Sequence, residues 1–294
     1  MVLRKFIFKL IFQACAIDSW NVPFQNRRPS SVGMTNRSTI LPSRRLFSAW
    51  PVFGLRNRRV FCCAGLVSLA MLSVGIAHAS SRIESKRALH DISADTDPNS
   101  AFWRGVPAIF AYKNRNGDKV AGYRMEVRSR WTPDNLYVLF ICPYTKLYLK
   151  PDPKTDVETN GLWHWDVAEV FIGSDFQDIG KYKEFEVSPQ GEWVDLDINR
   201  DHRADSAGWK WNSGFKVTAR IDQATHHWYA LMKIPYRSID SRPASVGNLL
   251  RVNFFLSEET GADRKAITWQ PTHENTFHVP KAFGTLKLSA GKQK

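Results

Sequence analysis

Asp166 and Glu169 stand three residues apart in LWHWDVAEVFIG (162–173), where Trp163 and Trp165 bracket His164 and a β-branched, aromatic run follows. A carboxylate among apolar neighbours is costly unless something partners it, so both acids are candidates for chemistry. On a strand, three residues span roughly 10 Å and point their side chains to opposite faces. A glycosidase needs two carboxyls converging on one bond, about 5–9.5 Å apart, so this pair alone does not make a glycoside hydrolase. The chain has no G-x-S-x-G, H-E-x-x-H or P-loop. His226 and His227 are adjacent, so on a strand they face opposite ways, while His164 and His278 stand isolated in sequence.

A second acidic run, Asp195-Leu-Asp197-Ile-Asn199-Arg-Asp201, has the spaced oxygens that calcium takes. An EF-hand loop needs Gly at its sixth position and Glu at its twelfth. Counting from Asp195 puts Arg200 and Ser206 there, and counting from Asp197 puts His202 and Gly208 there. Both frames fail, which leaves a non-EF calcium site at Asp195, Asp197 and Asp201 as the metal candidate, set against a plain strand with one wet face.

Tryptophan is unusually abundant: nine of the eleven lie after residue 79. Most large aromatics pack in cores. Trp163 and Trp165 instead follow the loop PDPKTDVETNG, and Trp269 precedes Gln270-Pro271-Thr272. Sugar rings lay their C–H faces on aromatic planes, and their hydroxyls need donors and acceptors such as Glu, Asp, Arg and Asn. Loop-borne Trp beside strand-borne Glu and Arg supplies both halves of such a site.

The elements that would position these residues are strands. Runs at 106–112, 123–132, 135–142, 166–173, 182–188, 192–198, 215–221, 227–234, 249–257, 266–270 and 284–289 alternate with turn signals such as Asn116-Gly117 and Ser213-Gly214. A short helical stretch is expected only at Tyr236–Ile239. About eleven short strands predict an all-β fold, an antiparallel β-sandwich or jelly roll. Period two assigns the faces. Ala168, Val170 and Ile172 share one with Leu250, Val252, Phe254 and Leu256, and with Phe185 and Val187. The opposite faces carry Val167, Glu169 and Phe171; Arg251, Asn253 and Phe255; and Tyr182, Glu184 and Glu186. That second face mixes aromatics with ions, which predicts a shallow, half-dry concave surface with Arg251 or a ligand hydroxyl as the partner of Glu169.

The net charge of +13 is uneven. Residues 1–79 hold 11 Lys and Arg against Asp18 alone, leaving 30 Lys and Arg against 27 acids in the remainder. The folded part is near neutral, which argues against nucleic acid as a partner. After RNRR (56–59), the apolar run 60–77 and Ala77-His78-Ala79 describe a secretory signal cleaved after Ala79, sending the chain to the periplasm or the exterior. An uncleaved run would anchor it to a membrane instead. Residues 1–55 read as a misassigned start or an unusually long basic leader, and Asn57-Arg58-Arg59-Val60-Phe61 faintly resembles a twin-arginine signal. Residues 80–100 read as a linker and 101–290 as one domain. Cys15, Cys62 and Cys63 fall in the leader, so the mature chain keeps only Cys142, a buried structural thiol at the end of LYVLFIC.

LWHWDVAEVFIGSD (162–175), EFEVSPQGEWVDLD (184–197), WYALMKIPY (228–236), LLRVNFF (249–255) and AITWQPTHENTFHVPKAFGTLKL (266–288) together resemble the carbohydrate-binding module family 9 domain and its DOMON-like relatives. The resemblance covers about 101–289. It implies a β-sandwich that binds a mono-, oligo- or polysaccharide without catalysis, sometimes stabilised by calcium, with no other cofactor required. It further implies Trp163 and Trp269 as aromatic clamps and Glu169 as the hydroxyl-binding carboxylate. Asp166, Arg251, Glu184, Glu186, Asn253 and His278 are supporting candidates. Such modules usually accompany a glycoside hydrolase, which here would act in trans. Some DOMON-like relatives hold haem b for electron transfer, a second reading for which Met125, Met232, Lys233 or His278 would supply axial ligands.

Overall fold

Alternating apolar and polar residues punctuated by turn residues build twelve strands in the computed structural model, which describes residues 81–202 and 206–291. The readings of the leader, its signal and its cysteines lie outside the described residues. The strands are β1 (Arg82–Arg87), β2 (Ala108–Ala111), β3 (Met125–Trp131), β4 (Asn135–Pro143), β5 (Val167–Gly173) and β6 (Lys181–Val187), followed by β7 (Trp193–Asn199), β8 (Lys216–Asp222), β9 (His227–Pro235), β10 (Leu249–Glu258), β11 (Lys265–Thr268) and β12 (Gly284–Ser289). The remaining helical elements are 3₁₀ turns, among them Leu162–His164, Ser206–Lys210 and Tyr236–Ser238. Among the described residues no helix is long and apolar enough to cross a membrane.

All twelve strands join one hydrogen-bonded sheet in the order β7-β6-β5-β10-β12-β1-β3-β4-β9-β8, with β11 on β10 and β2 on β3. Every pairing is antiparallel except those of β1, which lies parallel to both β12 and β3. The fold is therefore all-β and mostly antiparallel, with a single continuous ladder among the described residues. The sheet curls so that its halves face each other. Phe140 on β4 meets Phe254 on β10 edge to face, with ring centroids 6.1 Å apart. Ala168, Val170, Ile172, Phe185, Val252 and Phe254 share one buried cluster with Val138, Phe140 and Met232 from the opposite half. The curl nearly closes at the free edges, where Phe215, just before β8, packs on Phe185 and Trp193 at 5.0 and 5.4 Å.

Two expectations are corrected here. The segment 80–100 is not a linker. It contains β1, a strand that a short, charge-rich sequence (RIESKR) conceals, with Ile83 fully buried. Asp91 then ties the segment down, accepting hydrogen bonds from Thr132 Oγ1 (2.5 Å), Tyr137 OH (2.7 Å) and Asn135 Nδ2 (3.0 Å). The count of eleven strands becomes twelve for the same reason. Cys142, by contrast, is buried with its thiol in the core, and burial pushes its pKa up.

Gly284 opens β12 where the sheet leaves no room for a side chain. A Cβ there would lie 2.6 Å from both the Ser81 carbonyl oxygen and the Trp269 ring. Gly284→Ala is expected to lower stability by about 1–3 kcal/mol, the range of overpacked cores, as read from urea unfolding midpoints.

Candidate functional site

The four strands β7, β6, β5 and β10 turn one face to the core and the other outward. On the outward face the pairings line up Glu169 with Glu186 and with Phe255, and Phe171 with Glu184 and with Asn253. That face is not the half-dry surface its mixed composition suggests. Val167, Phe171, Phe255, Asn253 and the three glutamates are all buried. Two apolar clusters cover it. Leu162, Val167, Val194 and Leu196 gather under Trp163 at one end, while Phe171, Tyr182 and Phe255 pack with Phe277 and Phe283 at the other.

Between these clusters sit Glu169, Glu184 and Glu186, exposed by only 3, 4 and 0 %. One carboxylate oxygen from each lies within 4.8 Å of the other two. Outside the carboxyl cluster itself, no donor reaches either oxygen of Glu186 or Oε2 of Glu184. Burial pushes Glu169 and Glu186 well above the usual carboxylate range. Neighbouring carboxyls add to the rise, and Arg264 opposes it. Burial also lifts Glu184, to about 7. Like charges this close cannot all ionise without compensation.

Arg264, on the turn between β10 and β11, is the cation sequence reasoning missed. Its guanidinium donates to the Trp163 carbonyl (2.7 Å) and the Glu259 carbonyl (3.2 Å) while acting on Glu169 and Glu186. Nothing in the local pattern of GADRK marks it. Arg251, the expected partner, sits too far along β10. It pairs with Gly173, four residues beyond Glu169 on β5, which is roughly 13 Å of strand. Its Nε donates to the Asp175 carbonyl (2.5 Å) and its Nη2 to the Lys181 carbonyl (3.1 Å). Gly173 makes room for it, since a Cβ there would lie 2.8 Å from Nη2.

Other candidates also prove to be architectural. Trp269 is a core residue, 5 % exposed, packed on Phe254 at 5.7 Å, so it is not a surface clamp. It follows β11, and its amide donates to the Phe254 carbonyl of β10 (3.0 Å) with its ring packed inward, although turn residues follow it in the chain. Asn253 Nδ2 donates to the Gln270 carbonyl (2.9 Å) and Oδ1 accepts from the Gln270 amide (3.0 Å), which pins the start of the following loop. Asp166 is fully buried and accepts from the backbone amides of Tyr148 (2.6 Å) and Glu259 (2.7 Å). Burial raises it to about 6, against those two amides. It holds two loops together. Trp165 stacks on Tyr148, centroids 4.6 Å apart. His278 Nδ1 lies 2.7 Å from Tyr182 OH and 3.9 Å from Glu184 Oε2, its ring stacked on Phe171.

Trp163 is half-buried on the loop side of this face, and it meets a second tryptophan. Trp209, 36 % exposed in the 3₁₀ turn Ser206–Lys210, lies 5.5 Å away with the rings tilted by 52°. Its solvent exposure is the signal that would have singled it out, and sequence alone does not carry it.

The acidic run does not assemble a cation site. Asp195 accepts from the Ser213 amide (2.8 Å) and hydroxyl. Asp197 pairs with Lys183 Nζ at 2.6 Å, and Asp201 lies beside Gly180. Among the described residues the group of three or more possible metal ligands within 4.8 Å is Glu169, Glu184 and Glu186. Of the haem candidates, Met125 and Met232 fill the core, Lys233 Nζ donates to the Ile92 carbonyl (3.1 Å), and His278 is engaged as above.

Comparison with known proteins follows this geometry. The family described as "Carbohydrate family 9 binding domain-like" matches residues 95–291. A protein of Arthroderma benhamiae named "Extracellular protein" is 24% identical over 148 residues, 46% of this chain and 66% of its own length. A putative carbohydrate-binding protein from Bacteroides uniformis superposes with TM-score 0.55 at 14% identity, covering 71% of this chain and 99% of its own. A family 9 carbohydrate-binding module from Caldicellulosiruptor kristjanssonii, in complex with cellotriose, gives TM-score 0.51 at 16% identity, covering 72% and 95%.

Two tests follow. Trp269→Ala should cost about 3–5 kcal/mol of stability, as loss of a buried ring does, measured by denaturant unfolding; a surface clamp would leave stability unchanged. A carboxyl raised by the fold keeps a proton that the unfolded chain has lost, so stability falls as pH climbs from the ordinary value of 4.5 through about 7 for Glu184. Glu186→Gln in chelator-treated buffer should therefore raise stability by about 1–3 kcal/mol at pH 8 and by less at pH 5, measured by thermal melts at both.

Proposed function

Because the chain belongs to the carbohydrate family 9 binding domain-like family, we propose that it is a non-catalytic carbohydrate-binding protein. Its site lies at the Trp163 end of the outward face of β7-β6-β5-β10. The observation that carries this reading is that Trp163 and Glu169 share one covered face, joined by Arg264, which holds the Trp163 carbonyl and acts on the Glu169 carboxyl. A sugar ring stacks on Trp163, with Trp209 in place of Trp269 as the second aromatic, because Trp209 is the exposed ring beside it. Hydroxyls would then point toward Glu169 at the floor. The cellotriose bound to the Caldicellulosiruptor module favours a gluco-configured mono- or oligosaccharide.

Catalysis by the domain itself fits less well. Asp166 is engaged by two backbone amides and Glu169 is buried beside two other carboxyls. A glycoside hydrolase acting in trans would supply the chemistry of polysaccharide breakdown. We also read the curled sheet as the family's β-sandwich. Residues 1–79 are read as an export leader cleaved after Ala79, delivering the domain to the periplasm or exterior.

Calorimetric titration with glucose, cellotriose and a broader glycan array tests this reading. Trp163→Ala should weaken binding at least tenfold, about the worth of one stacked aromatic ring, in protein that still unfolds cooperatively, with some loss of stability from the packing it gives up. Trp209→Ala should weaken it less. A wild-type protein that binds no saccharide on the array overturns the reading.

A further inference from the structure

We propose that Glu169, Glu184 and Glu186 form a divalent-cation site, selective for calcium, buried in the outward face of the sheet. The site shares Glu169 with the sugar reading but needs no bound saccharide.

Strand geometry brings the three groups together. Glu184 and Glu186 are two residues apart on β6 and so point to the same side, while Glu169 on β5 is the direct cross-strand partner of Glu186. One carboxylate oxygen from each lies within 4.8 Å of the other two, the separation of oxygens that surround a calcium ion at 2.3–2.6 Å. The independent observation is the state of Glu186. It is wholly buried, and no donor from outside the cluster reaches either of its oxygens, nor Oε2 of Glu184. Buried carboxyls in native structures are ordinarily satisfied, because an unsatisfied charged group is costly.

The charges around the cluster leave room for an ion. Arg264 opposes the cluster's charge, yet its guanidinium already serves two backbone carbonyls. His278 approaches Glu184 only to 3.9 Å, with the same Nδ1 2.7 Å from Tyr182 OH. One divalent cation together with Arg264 would balance three carboxylates. The donors are all carboxylate oxygens, which select hard cations over zinc or copper. Three carboxylates can present up to six oxygens, and calcium accepts six to eight in flexible geometry, whereas magnesium keeps its waters and demands an octahedron.

The test uses the full chain, stripped with chelator and dialysed against buffer with or without calcium chloride. Wild-type protein should retain one calcium per chain by elemental analysis, and calcium should raise its melting temperature by about 5 °C or more. Glu186→Gln should retain none, melt independently of calcium, and exceed wild type in stability in the stripped state. Glu184→Gln serves as a second variant if Glu186→Gln does not fold. Asp197→Asn should behave as wild type. Wild-type protein that holds no calcium and does not respond to it leaves shared protons as the only compensation and overturns the proposal. Equal calcium content in Glu186→Gln, or its loss in Asp197→Asn, overturns it as well.

Discussion

Three carboxyl groups packed into one dry patch are the constraint around which the outward face is arranged. A sheet face in water would hold Glu169, Glu184 and Glu186 at little cost, with their charges screened. Here the loops that carry Trp163 on one side and Phe277 to Phe283 on the other close over that face. Closing it removes the screening and brings in Arg264 as the opposing charge. The apolar residues Val167, Phe171 and Phe255 drive the closure, since each buries a large surface only if the loops come down. The carboxyls are thus held in a low-dielectric site by their neighbours' hydrophobicity, which is how binding sites keep reactive or ion-binding groups unsatisfied until a ligand arrives.

Asp166 makes that closure possible. It stands just before β5, where two separate loops pass, and its two oxygens each take a backbone amide, one from Tyr148 and one from Glu259. The loop at Tyr148 leads to the 3₁₀ turn that presents Trp163, while Glu259 leads to Arg264. One buried acid therefore sets the entry of both the aromatic and the cationic component. The sequence pattern W-x-x-D-x-x-E-x-F joins three jobs in nine residues: a ring over the apolar cluster at one end of the face, a carboxylate that orders the loops, and a carboxylate buried beside Glu184 and Glu186.

Period-two alternation made the strands and their core faces legible. The inward sets of β5, β6 and β10 are those the pattern assigns, because a strand's side is fixed by parity alone. Parity says nothing about what lies above the other face, so a dry, lidded surface read as a half-wet one. It is equally silent about distance along a strand. Arg251 and Glu169 share a face, yet cross-strand register separates them by four residues. Trp269 misled for a related reason: polar turn residues follow it, but its own side chain points inward on Phe254. Arg264 and Trp209 lie on short turns whose positions depend on tertiary packing, and no local pattern encodes that. Glu184 and Glu186 were visible as outward-facing acids, though only the strand pairing reveals that they meet Glu169.

The strand that sequence patterning hides has the largest architectural consequence. Among the described residues β1 is the only strand paired in parallel, and it lies between β12 and β3. It joins the half that carries the carboxyl face to the half that packs against it. Without β1, β12 would present an unpaired edge, β3 would keep β2 only along Met125–Arg128, and the continuous ladder would separate into two sheets. Its residues precede the span matched by the family, which begins at 95. RIESKR reads as charged because Ile83 and Ser85 alone turn inward while Arg82, Glu84, Lys86 and Arg87 stay partly or fully exposed. Ile83 supplies the buried contact, and Ser85 meets the Ser129 hydroxyl at 2.8 Å. Backbone hydrogen bonds do the rest. A folded unit defined by its ladder therefore starts at or before Arg82, several residues ahead of the point where sequence similarity becomes recognisable.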